Sequence, residues 1–177
     1  MEDKLSFIVN GEKYTFGGNG SDRIPDTETL RETLHGRIPG IDLKKNCNRG
    51  ICGNCTVLLD GRAVEACMIL SASCQGAEIV TWEGLSDHEH RLYEIFRDSD
   101  YFNRHAAYIS IRALVMVCIA QFRKKEEPSE RDLMNALAGN YGSCLDIEKV
   151  MGLVRQYRDL EHAGCAEPET EGKDEII

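Results

Sequence analysis

The sequence predicts an α+β protein, with a strand-rich N-terminal part followed by an all-helical part. Three observations carry this. Short alternating apolar runs with two-residue turn signals fill residues 1–85. Longer amphipathic or apolar runs with cap signals fill residues 86–165. Residues 166–177 are acidic, so a disordered tail is expected there. Each of the two larger parts is marginal in size for an isolated fold, so mutual packing or a metal centre is expected to support them.

The elements follow in order. Leu5, Phe7 and Val9 alternate as a strand requires. Asn10-Gly11 then marks a tight hairpin, because both residues tolerate positive φ, and Tyr14-Thr15-Phe16 returns. A helix is expected from Thr29, with Glu32 completing a capping box and Gly36 as its stop. A second hairpin runs from Thr56 to Leu59, turns at Asp60-Gly61, and returns from Arg62 to Ala66. Glu78 to Thr81 is a last strand. Ser86 to His90 reads as a polar linker, with His88 and His90 solvated. Four helices are expected beyond it: His90 to Phe102, Ala106 to Lys125, one begun by Ser129, and one capped by Asp146 and closed by Gly164.

Composition excludes several classes. The chain has 177 residues, 42% of them hydrophobic, and 16 glycines, within the globular range. With 21 basic against 30 acidic residues the net charge is −9, which argues against nucleic acid as a partner. The most apolar run, 106–122, is short for a bilayer span and carries Arg112, so no membrane span is expected. The N-terminus lacks the basic start and apolar core of a signal peptide. The expected location is cytoplasmic.

Eight cysteines are present, and four of them fall within 21 residues. Cys47, Cys52, Cys55 and Cys67 follow C-x4-C-x2-C-x11-C. The first two intervals are those of a plant-type [2Fe–2S] ligand loop with a distant fourth cysteine. Two irons need four thiolates, and the fourth must approach from outside the loop. The Asp60-Gly61 hairpin would return Cys67 beside it. Gly50 and Gly53 leave room for the backbone to approach the sulfurs, and amide donors there raise a reduction potential. Arg49 is either a partner-facing residue or a plain surface residue. A zinc site with four cysteine ligands is a competing reading, which the four-residue gap fits poorly. No G-x-S-x-G, H-E-x-x-H, P-loop or G-x-G-x-x-G occurs, and the five histidines lack metal-ligand spacing. The chain therefore reads as an electron carrier whose substrate chemistry would lie on another chain.

The residues also resemble a known family, the small iron–sulfur subunit of the molybdenum hydroxylases (xanthine dehydrogenase, aldehyde oxidoreductase, aerobic carbon monoxide dehydrogenase). Phe7 to Gly11 matches its "f-x-v-N-G", Cys47 to Val57 its "C-x-x-G-x-C-G-x-C-T-V", and Asp60-Gly61 its "D-G". Cys67 matches a further cysteine, and Thr81 to Leu85 matches "T-x-E-G-L". The resemblance implies a β-grasp ferredoxin-like domain over 1–85 and a four-helix domain over 86–165. It implies electron relay between flavin-binding and molybdopterin-binding partner subunits, which would carry FAD and molybdopterin. The family holds a second cluster through "Q-C-G-x-C" and "C-R-C". Here Ala106 and Ile109 stand at two of those cysteine positions, and only Cys144 of the four remains. One cluster is therefore expected, with the second absent. Cys118 reads as a core residue. A non-turnover assembly or interaction subunit and a zinc-stapled structural module remain as alternatives.

Overall fold

Both dipeptide turns form as their chemistry requires. Asn10 and Gly11 adopt φ of 51° and 85°, and Asp60 and Gly61 adopt 48° and 74°. The computed structural model describes residues 4–17, 22–43, 47–105, 110–125, 127–138 and 146–164. Strands β1 (Leu5–Val9) and β2 (Glu12–Phe16) form the first hairpin, and β3 (Thr56–Leu59) and β4 (Arg62–Glu65) form the second. Strand β5 (Glu78–Val80) lies between them, parallel to β1 and antiparallel to β3. The result is a mixed five-stranded sheet of order β2-β1-β5-β3-β4.

Helix α1 (Leu30–Arg37) covers one face of the sheet. Thr29 caps it, its hydroxyl accepting from the Glu32 amide while Glu32 reaches back to the Thr29 amide. The expected stop at Gly36 is corrected. Gly36 is helical, and the chain leaves the helix at Ile38, which is extended because Pro39 follows it.

The helical part differs from the sequence expectation in three places. The segment 86–90 is not a linker. Ser86 caps helix α2 (Asp87–Arg97) in a reciprocal box with Glu89. His90 packs edge-on to Trp82 at 4.6 Å between ring centroids, and His88 meets Tyr157, so neither is simply solvated. The expected helix over 90–102 is two helices, α2 and α3 (Asp100–His105), with Ser99 between them. The Ser99 hydroxyl donates to Phe96 O at 2.7 Å and accepts from the Phe102 amide at 3.3 Å, which ends one helix and starts the next. Helix α4 (Ile111–Lys124) begins after Ser110, whose hydroxyl accepts from the Ala113 amide, and not at Ala106. Helices α5 (Glu130–Leu137) and α6 (Ile147–Gly164) follow. Five helices, and not four, therefore lie beyond the sheet among the described residues.

Two apolar clusters result, one on each face of the sheet. Phe7, Val9, Val57 and Ile79 pack with Leu30 and Leu34 of α1. Leu58 and Val80 point the other way and join Leu92, Phe96, Leu114 and Met116. The alternation of strand side chains explains why neighbours Val57 and Leu58 belong to different clusters. Cys118 is fully buried in α4, where burial alone pushes its thiol up to about 12. Among the described residues no helix is long and apolar enough to cross a membrane. Ala106, Ile109, Cys144 and the tail 166–177 lie outside the described residues.

Candidate metal centre

The segment from Cys47 to Cys55 leads into β3 as a loop of bends and turns. Asn48, Gly50 and Gly53 all take positive φ, at 51°, 65° and 68°. These left-handed residues curl the backbone so that several amides face one sulfur. The Arg49 and Cys52 amides each donate to Cys47 Sγ at 3.4 Å. The Ile51 amide joins them, and together these donors bring the Cys47 thiol down to about 6. A cradle of amides around a thiolate sulfur is the environment an anionic iron–sulfur core requires.

Cys67 arrives from the other direction. The β3–β4 ladder pairs Thr56 with Glu65, and the Ala66 amide donates to Cys55 O at 3.1 Å. The turn Ala66–Met68 then sets Cys67 beside Cys55. Both are buried. Burial pushes the Cys55 thiol up to about 12, against a donation from the Cys67 amide. The thiols form two neighbouring pairs. The Cys52 side chain adjoins the Cys47 sulfur, and the Cys67 side chain adjoins that of Cys55. Cys52 lies close enough to Cys55 for their charges to interact. No disulfide joins them.

The structure places the cysteines singled out in the sequence as two neighbouring pairs, Cys47 with Cys52 and Cys55 with Cys67, with Gly50 and Gly53 in the loop that carries three of them. Arg49 is exposed beside them. Cys74 is a core residue whose thiol donates to Leu70 O at 3.7 Å. No group of three or more His, Cys, Asp or Glu side chains among the described residues is arranged to hold a single metal ion. Sequence reading missed the surroundings of the site. Ile51 and Met68 are 73% and 61% exposed and flank the loop, and Met68 lies against Gly50. Alternation and helix periodicity give no warning of such residues, because neither sits in a repeating pattern.

The chain is similar in sequence to proteins of known name, and it spans most of some of them but only a small part of others. It is 28% identical over 154 residues to the nicotine 6-hydroxylase small subunit of Paenarthrobacter nicotinovorans, covering 85% of this chain and 87% of that one. It is 47% identical over 100 residues to the aldehyde oxidoreductase iron-sulfur-binding subunit PaoA of Escherichia coli, covering 55% and 41%. Homologues of this chain are iron–sulfur subunits of molybdenum hydroxylases. The chain is also 30% identical over 176 residues to aldehyde oxidase 2 of Cavia porcellus, covering 93% of the chain but 13% of that much longer protein. Among solved structures, quinoline 2-oxidoreductase from Pseudomonas putida 86 superposes with a TM-score of 0.63 at 21% identity, covering 93% of this chain and 99% of that one. Aldehyde oxidoreductase from Desulfovibrio gigas gives 0.70 at 19% identity, covering 96% and 18%. At those identities the likeness is one of fold. No family model matches this chain.

Proposed function

We propose that this chain is the [2Fe–2S] electron-transfer subunit of a multi-subunit oxidoreductase of the molybdenum hydroxylase type. Cys47 and Cys52 would hold one iron, and Cys55 and Cys67 the other. The observation that supports this reading is the meeting of two thiol pairs where the Cys47–Cys55 loop abuts the β3–β4 hairpin. A bound cluster of this kind takes up and releases one electron at a time and leaves no open position for substrate. The chain's own contribution is positional. Gly50 and Gly53 keep the loop in its left-handed turns, and the amides of Arg49, Ile51 and Cys52 hold the Cys47 sulfur as thiolate.

The finer reading divides the chain into a β-grasp ferredoxin-like domain over 1–85 and a helical domain over 86–165. In the helical domain the second cluster would be lost, since alanine and isoleucine at 106 and 109 cannot ligate iron. FAD and molybdopterin would reside on partner subunits, and the complex would work in the cytoplasm. Iron and acid-labile sulfide analysis of anaerobically purified protein tests the centre. About two irons and two sulfides per chain with one EPR signal on reduction are expected. Four irons with two signals would overturn the single-cluster reading. Zinc without sulfide would overturn the cluster itself and favour the zinc-stapled module. A cluster that stays oxidised while its purified complex turns over would favour the assembly role.

A further inference from the structure

The two thiol pairs are joined unevenly. The Ala66 amide donates to Cys55 O at 3.1 Å, and the Cys67 amide donates to the Cys55 sulfur. Both bonds hold the Cys55 end of the loop, where β3 begins. Among the described residues no hydrogen bond ties the Cys47–Cys52 end to the turn Ala66–Met68.

One side chain crosses that gap. Met68 follows Cys67 in the turn, and its Cγ and Sδ lie 2.9 and 3.3 Å from where a Cβ on Gly50 would stand. The thioether therefore rests against Gly50 in space that only glycine leaves open. Gly50 is half-buried although its neighbours Arg49 and Ile51 are both exposed. It also stands between two of the residues whose amides face the Cys47 sulfur. Met68 itself is 61% exposed and belongs to neither apolar cluster, so core packing does not account for its placement. A flexible, polarisable thioether suits contact with a curled backbone.

We propose that Met68 is a positioning residue for the iron–sulfur centre, a latch that holds the Gly50 turn to the segment carrying Cys67. The inference rests on the cluster reading above. A cluster that bridges the two thiol pairs needs both within reach at once. Its iron escapes when the Cys47–Cys52 end swings away from Cys55 and Cys67. The Met68 contact opposes that swing through many small dispersion attractions and the apolar surface it covers.

Release of iron from purified holoprotein to excess bathophenanthroline disulfonate tests this, followed through the bleaching of the visible band. Met68→Ala should release iron about fivefold faster than wild type, the order expected for losing roughly one methylene of apolar contact. Met68→Leu should stay within about twofold of wild type, because it keeps volume and apolar character. Gly40→Ala strains a positive φ outside the loop and should leave release unchanged. Gly50→Ala should speed release, and by less in the Met68→Ala background, where its new Cβ no longer meets the thioether. If Gly50→Ala does not load iron, the Met68 variants are read alone. Wild-type release from Met68→Ala would overturn the proposal. So would acceleration in Gly40→Ala equal to that in Met68→Ala, a Leu variant as fast as the Ala variant, or strict additivity of Gly50→Ala with Met68→Ala. A wild-type protein without sulfide or a visible band would instead sink the cluster reading, so the two failures are distinguishable.

Discussion

The side-chain carbonyl of Asn10 accepts the backbone amide of Thr81 at 2.9 Å, and the Asn10 side-chain amide donates to the Thr81 hydroxyl at 3.0 Å. The first hairpin turn is thus clasped to the end of β5, where the chain passes from the sheet to the helices. The two motifs involved, Asn10-Gly11 and Thr81-Trp82-Glu83-Gly84-Leu85, lie far apart in sequence but form one contact. Gly84 belongs to it, because a Cβ there would overlap the Asn10 side chain. Replacing Gly84 by Ala should cost about 1–3 kcal/mol through overpacking. Asn10→Gly keeps the left-handed turn but orphans the buried Thr81 amide, for a cost of about 1–3 kcal/mol. Denaturant unfolding of the single and double variants should show coupling, with the double variant less destabilised than the sum. Strict additivity would refute the clasp.

The amide cradle makes Cys47 the reactive thiol of the cluster-free protein. Its value near 6 means that the thiolate dominates at neutral pH and is lost as pH falls through that value. Cys55, up near 12, should stay inert. Iodoacetamide labelling of apoprotein read by mass spectrometry should give a Cys47 rate that rises to a plateau above about pH 6. Equal labelling of Cys47 and Cys55 at neutral pH would contradict the cradle.

Gly53 is buried with φ of 68°, in the turn just before Cys55. Gly53→Ala should cost about 1 kcal/mol of backbone strain there. Iron content per chain should fall in parallel, measured after reconstitution with iron and sulfide. Gly40→Ala carries similar strain at φ 83° but lies outside the cysteine loop, so it should lower stability and leave iron content unchanged.

Arg123 at the end of α4 grips Glu89 at the start of α2, with Nε–Oε1 at 2.6 Å and Nη2–Oε2 at 2.9 Å. Burial opposes ionisation of Glu89, yet the guanidinium and the Ser86 amide hold its carboxyl below the ordinary glutamate value. A depressed folded-state value means the stabilisation is complete above the ordinary glutamate range and disappears as pH falls through the depressed value. Arg123→Met should therefore destabilise by about 1 kcal/mol at neutral pH. Thermal melts should show the difference from wild type shrinking on acidification, and an unchanged difference down to the acid limit would exclude this linkage.

The local chemistry of the N-terminal part was readable because single residues decide it. Asn10, Asp60 and their glycines announce positive φ, Thr29 and Glu32 announce a cap, and the cysteine intervals announce a ligand loop. Errors arose where one residue type has two uses. Gly36 looked like a stop, but it lies inside a helix that Pro39 ends. Ser86 looked like linker polarity, but with Glu89 it forms a capping box of the same kind as Thr29 and Glu32. Ser99 was hidden within an amphipathic pattern that continues across the break. The burial of Arg31 was beyond pattern reasoning, because a charged side chain on a helix is by default expected at the surface.

Strand β3 begins at the residue after Cys55, and its successive side chains serve opposite faces, Val57 beneath α1 and Leu58 beneath α4. It is a party wall with a tenant on either side. If loosening at the sulfur end travels along these four residues to the helices behind, a chain without bound iron should exchange its α4 amides with deuterated solvent faster than a loaded one. Maturation of the prosthetic group and consolidation of the distal half would then be a single event.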